Sequence, residues 1–289
     1  MFTPASHGTV WTKEVWTAEV LRTRNPRLVM ATRVINKDRD VLEGGQVINI
    51  MEVGTLPVTD VKADGTFDTS SPFKQNKTLT VDSFRSSGFS IRDDFAVQTV
   101  MDCQAKFSEE IGKALARDME LKLLRLESGI AAANRTSITG DFTDLAFRAL
   151  VALKDAVEGF PEDNIHFLCS AQQKAAIMAI DKYNKANELA LSRNEVMVRT
   201  GKLLAEMYGV EMLWTPLMTT ANAIRRTIDG ATRTPNFMWH NEAFAKATQK
   251  KFSVEKFRNG FAWKYAGAQL CGANNCRTDY AWTMDSTNA

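Results

Sequence analysis

Histidine and cysteine, the side chains most often used as metal ligands or activated nucleophiles, are scarce in this 289-residue chain, with three of the first and four of the second. His7, His166 and His240 lie far apart, and none stands at a metal-ligating spacing from another His, Cys, Asp or Glu. Cys103, Cys169, Cys271 and Cys276 are too few and too scattered for a disulfide scaffold, so folding in a reducing cytoplasm is expected. Cys271 and Cys276 enclose Gly-Ala-Asn-Asn, but a zinc knuckle needs a second pair that the other two do not provide. A plain thiol pair in a turn is expected there. A run of about 18 apolar residues is missing, which excludes a helix across a bilayer. The N-terminus, MFTPASHGTVWTKEVW, lacks a basic segment followed by an apolar one and does not read as a secretory signal. Neither sign of charge dominates. The net charge of +2 gives no compositional case for a dedicated nucleic-acid binder.

Phosphate loops and nucleophile elbows are missing as well: there is no GxSxG, GxxxxGK[ST] or GxGxxG. Gly44-Gly45 follows no strong strand and opens no helix. His166 sits in an apolar run and reads as a satisfied core histidine. Glu109-Glu110 falls on the polar side of a long helix, where solvated charge is the ordinary explanation. The six tryptophans are spread along the chain and read as core or interface anchors, not as a stacking platform. No catalytic, cofactor-binding or metal residue is therefore assigned, and no cofactor is expected.

What the chain does have is an ordinary globular composition, 44% hydrophobic and 24% charged, with length enough for one large domain or two subdomains. There is no internal repeat and no low-complexity tract. Residues 1–40 read as an arm, with a helix from Trp11 to Leu21 ending before Asn25-Pro26. Lys13, Arg22, Arg24, Arg27, Arg33, Lys37 and Arg39 surround it, against Glu14, Glu19, Asp38 and Asp40. They form either a solvated mixed-charge surface or a face turned toward nucleic acid. Gly45 to Ile50 opens a strand, and Thr78 to Val81 alternates as a second one. The polar stretch 54–76 between them is long for a compact domain, and such loops are usually functional or disordered.

The strongest signal follows. Asp93-Asp94 suits a helix start, and Val100, Cys103, Phe107, Ile111, Leu115, Met119, Leu123 and Leu126 then make one apolar stripe. A helix over 94–127 would run about 50 Å. One stripe with charge elsewhere places it along a sheet or another layer. Beyond it, helices are expected over Thr143–Val157, with Asp141 as a cap candidate, and over Ala171–Ile180, capped by Ser170. Strands are expected at Ile165–Cys169 and Val210–Trp214, with a short helical turn at Leu203–Tyr208 before the latter. A second helical turn is expected over Asn241–Thr248, then a β-rich tail from Phe252 to Thr283.

The order of these elements resembles the Hong Kong 97-like fold of tailed-phage major capsid proteins, shared by some bacterial encapsulins. The strings that carry the resemblance are Trp11-Thr12-Lys13-Glu14-Val15 and Gly45-Gln46-Val47-Ile48-Asn49-Ile50. To these belong Leu79-Thr80-Val81-Asp82, Phe89-Ser90-Ile91-Arg92-Asp93-Asp94, and Gly201 with Tyr208-Gly209-Val210-Glu211-Met212. Together they cover nearly the whole chain.

The resemblance implies an α+β capsid fold with five parts. These are an N-terminal arm (1–43), an extended hairpin loop (44–92), a spine helix with the peripheral domain (93–139), an axial domain (140–250) and a returning β-rich tail (251–289). It further implies a structural protein, not an enzyme. Pentamers and hexamers would close into an icosahedral shell around non-specifically held double-stranded DNA, in virions assembled in the host cytoplasm and with no membrane partner. Neighbouring capsomers are the implied contacts, with scaffolding, portal and decoration proteins as further candidates. Only about ten residues precede the arm helix, so a separate scaffolding protein is expected. Some relatives crosslink through Lys and Asn. Lys62, Lys74 and Lys77 lie in or near the loop, but none matches that motif. The alternatives are an encapsulin-like compartment and an α/β enzyme with 54–76 as a lid.

Overall fold

The computed structural model describes residues 29–41, 45–53, 56–62, 65–66, 69, 73–92, 103–157, 159–180, 206–228 and 231–287. The expected arm helix, the Asp93-Asp94 cap, Gly201 and the polar stretch 181–200 lie outside these residues.

The described chain begins with two short pieces, β1 (Ile35–Asn36) and α1 (Asp38–Val41). Two long strands, β2 (Val47–Val53) and β3 (Phe73–Thr80), form a separate antiparallel hairpin. On it, Ile48 and Ile50 turn toward the apolar cluster of Leu79 and Val81, while Val47 and Met51 face out. This is the period of two expected of a half-buried ribbon. Next, β4 (Ser83–Arg92) leaves the hairpin and pairs with β12 (Ala262–Asn275), so the sequence unit 44–92 divides into a hairpin and a strand of another sheet.

Helix α2 (Cys103–Arg125) runs unbroken for 23 residues, about 35 Å, and continues as a tight turn over Leu126–Gly129. Ile111, Leu115, Met119 and Leu123 are buried, as the stripe predicts. They face the four-stranded sheet β1-β11-β12-β4, where β11 is Phe244–Asn259.

The second sheet holds β5 (Arg135–Thr139), β6 (Ile165–Ser170), β7 (Glu206–Met207), β8 (Val210–Thr215), β9 (Arg226–Ile228), β10 (Ala231–His240) and β13 (Ala281–Thr287). Its main path is β5-β13-β10-β6-β8-β7, with β9 paired to β10. Helices α3 (Asp144–Asp155) and α4 (Ala171–Met178) contribute to the apolar cluster on one face. Along β10 the side chains alternate: Phe237 and Trp239 join the core shared with α2, and Met238 joins the one shared with α3 and α4. Both faces are covered, which is why β6 is buried along its whole length.

Several local expectations need correction. Thr143, not Asp141, caps α3, its hydroxyl accepting from the Ala146 N–H. Ser170 caps α4 as expected, accepting from Gln173. Glu206–Met207 form a two-residue strand where a helical turn was expected. Residues 241–248 make one 3-10 turn, Asn241–Ala243, and then enter β11. Cys271 lies within β12 and Cys276 just after it, in different apolar clusters, so they are not a thiol pair in a turn.

Candidate subunit-contact surfaces

No group of three or more His, Cys, Asp or Glu side chains that could hold a metal ion occurs among the described residues. His166 is buried with both ring nitrogens engaged, Nδ1 at 2.6 Å from Glu211 Oε2 and Nε2 at 2.7 Å from Asn241 Oδ1. It is a satisfied core histidine. The Cys169 thiol is pushed up to about 12 by burial, and Cys276 up to about 11 for the same reason, so neither is a thiolate nucleophile near neutrality. His240 is also buried, which lowers its proton affinity. Lys62 contributes its backbone to a turn, its N–H donating to Thr66 O and its carbonyl accepting from Gly65. At the φ of +79° found there, Gly65 tolerates what a side chain would resist.

Of the arm's basic residues, Arg33 points inward and grips Glu211 with two nitrogens, Nε to Oε2 at 2.6 Å and Nη2 to Oε1 at 2.5 Å. Lys37 pairs with Asp40. Arg33 is thus engaged by Glu211 within the chain; Lys13, Arg22, Arg24 and Arg27 lie outside the described residues.

Among the described residues, two stretches concentrate exposed apolar and charged side chains. One is the β2–β3 hairpin. Val47, Met51, Leu56, Val61 and the wholly exposed Val58 present apolar side chains to solvent there. Residues 54–72 carry Asp60, Asp64 and Asp68 against Lys62 alone, giving this connection an acidic character. The other is the turn between β11 and β12, where Phe261 is 86% exposed and Phe257 about half. Residues 250–264 carry Lys250, Lys251, Lys256, Arg258 and Lys264 against Glu255. The cations lie over rings: Lys256 Nζ is 4.3 Å from the Trp263 centroid and 5.5 Å from that of Tyr265, and Arg258 is 5.5 Å from Trp263. Phe89 stacks on Tyr265 at 4.9 Å. Soluble chains rarely leave apolar groups this concentrated without a partner.

Register shows that these two surfaces point apart. Asn274 Nδ2 donates to Thr78 O, Ser83 pairs with Cys271, and Arg92 pairs with Ala262. Strands β3 and β4 thus follow one another along β12 in a single direction. The far end of the hairpin lies beyond one end of that path, and the Phe261 turn lies at the other. Sequence reading singled out the hairpin loop but missed the turn, whose signal was the alternation of aromatic and basic residues over 256–265.

No protein-family model and no curated protein sequence matches the chain. Solved structures do match, over almost all of it. A chain of Mycobacterium phage Che8 superposes with a TM-score of 0.72 at 19% identity, covering 95% of this chain and 97% of that one. A capsid chain of Cyanophage P-SCSP1u gives 0.75 at 13%, covering 97% and 94%. The capsid of a native GTA particle gives 0.71 at 11%, covering 99% of each. The chain has the mixed α+β fold of phage capsid proteins.

Proposed function

We propose that this chain is the major capsid protein of a tailed bacteriophage, a structural protein that assembles into pentamers and hexamers and closes an icosahedral shell around double-stranded DNA. The observation that carries the reading is the likeness in fold to capsid chains over at least 94% of each chain. In this reading α2 is the spine and the four-stranded sheet with α2 is the peripheral domain. The seven-stranded sheet with α3 and α4 is the axial domain at the capsomer centre, residues 1–43 are the arm, and the β2–β3 hairpin reaches over a neighbour. The acidic, apolar hairpin loop and the basic, aromatic turn suit each other in charge and chemistry but lie too far apart to meet within one chain. Contact between copies then uses two different patches, the head-to-tail geometry that closes rings. Scaffolding, portal and decoration proteins remain further partners in this scheme.

Electron microscopy of the chain purified from infected cells, with nucleic acid measured in the particles, tests the proposal. Closed shells holding DNA in infected cells are the expected result. Small oligomers only, or shells packed with protein cargo, would replace it with an enzyme or a compartment reading.

A further inference from the structure

The two sheets meet across an apolar core that they share with α2. The chain crosses from β10 to β11 through Asn241–Ala243, and back from β12 to β13 through residues 276–280. These crossings lie side by side, since the N–H groups of Cys276 and Arg277 both donate to Ala243 O at 2.8 and 3.2 Å. A third crossing, from α2 to β5 through residues 126–134, lies beside them, with Asn134 Nδ2 donating to Ala281 O at 3.0 Å. With the crossings gathered in one place, the angle between the sheets is left to packing and to bonds made elsewhere. Apolar packing of α2 resists rotation, and Arg117 and Arg125 of α2 add exposed bonds to Asn222 at 3.4 and 3.2 Å.

Residues 29–41 supply directional bonds to both sides. On the helix side, Glu120 is fully buried, and its carboxylate accepts from the backbone N–H groups of Val29 (2.8 Å), Met30 (2.7 Å) and Ala31 (3.0 Å). On the seven-stranded side, Arg33 holds Glu211 of β8 by its forked pair, while its carbonyl accepts from Trp239 Nε1 at 3.0 Å. On the four-stranded side, β1 pairs in parallel with β11 at Ala245 and Lys246. Lys37 N–H donates to Lys246 O, and Asp38 Oδ1 accepts from Thr248 N–H. A segment of 13 residues (29–41) thus touches the long helix and both sheets. Charge-assisted and bidentate bonds of this kind fix geometry as well as adding energy.

We propose that residues 29–41 form a latch across the joint, with Glu120 and Glu211 as its two catches, which sets the angle between the sheets. The latch needs no ligand and no covalent step.

Two measurements on the unassembled full chain decide this, independently of whether it is a capsid protein. Backbone amide exchange reports the latch, and paired nitroxide labels on Ser86→Cys and Ser137→Cys, with Cys103→Ser, report the distance between the sheets. Glu211→Gln keeps the shape of the side chain and removes its charge. It is expected to speed exchange over 29–36 about tenfold and to broaden the label distance distribution while α2 stays protected. Glu120→Gln is expected to act more strongly; if it fails to fold, Arg33→Gln stands in for it. A narrow, unshifted distance distribution in the folded variants, or unchanged exchange over 29–36, overturns the latch.

Discussion

Gly272 of β12 and Thr80 at the end of β3 lie backbone against backbone, so close that a Cβ on Gly272 would overlap the Thr80 carbonyl. Here the hairpin is seated on the four-stranded sheet, and neither neighbour atom belongs to a side chain that could swing away. Gly272→Ala should push the hairpin off its base. Overpacking of this kind costs about 1–3 kcal/mol, and the loss should appear in chemical denaturation together with faster amide exchange at Leu79 and Val81. Unaltered exchange there would show that the base yields without cost.

Removing the Glu120 carboxylate strands three backbone donors in the interior. Each buried unsatisfied group costs about 1–3 kcal/mol, so Glu120→Ala should lose several kcal/mol of folding stability, well beyond an ordinary surface change. A loss under about 0.5 kcal/mol, the scale of exposed positions, would mean that water or another acceptor takes over.

Acid should loosen the joint, and two groups act with the same sign. The Arg33 guanidinium, and after it His166, hold the Glu211 carboxyl below its usual 4.5. Its contribution is present above 4.5 and is lost as pH falls through the folded value. Burial likewise holds His240 below 6.5, so the unfolded chain takes up that proton first and stability declines as pH drops from 6.5. Urea midpoints from pH 7.5 downward should fall in two stages, and the lower stage should shrink in Glu211→Gln.

Phe261 offers a way to separate folding from the proposed assembly. At 86% exposure it adds little to its own subunit, so Phe261→Ser should change monomer stability by less than about 0.5 kcal/mol. Particle yield should nonetheless collapse, and Lys256→Glu should do the same in a salt-dependent way. Normal particle yield from both variants would remove the turn from the set of contact surfaces.

Where the sequence was informative, the reason was a repeating local pattern. The stripe from Ile111 to Leu123 carries the helical period, and α2 follows it; β6 reads as a short apolar run and is a strand buried on both faces. Local propensity misled at Asn241-Glu242-Ala243-Phe244-Ala245-Lys246-Ala247. Its alanines and Lys246 are good helix formers, yet after the 3-10 turn Asn241–Ala243 the chain enters β11 because the ladder to β12 and the burial of Phe244, Ala245 and Ala247 outweigh a few tenths of a kcal/mol per residue. The latch left no local trace at all. Glu120 looks like one more charge on a helix flank, and its partners at Val29 and Met30 lie 91 and 90 positions away. His166 could be read as a settled interior histidine from its apolar neighbours, but Glu211 and Asn241, which satisfy it, come from other strands and turns.

The opposed placement of the acidic loop and the basic turn has a geometric consequence for the proposed shell. Copies joined end to end in this manner turn by a constant step, and the step alone decides how many close a circle. Five need about 72° each and six about 60°, so one sequence can build both vertices and faces if each subunit absorbs roughly 12° of bend. Residues 29–41, bonded to the long helix and to both sheets, are what such a bend would have to work against.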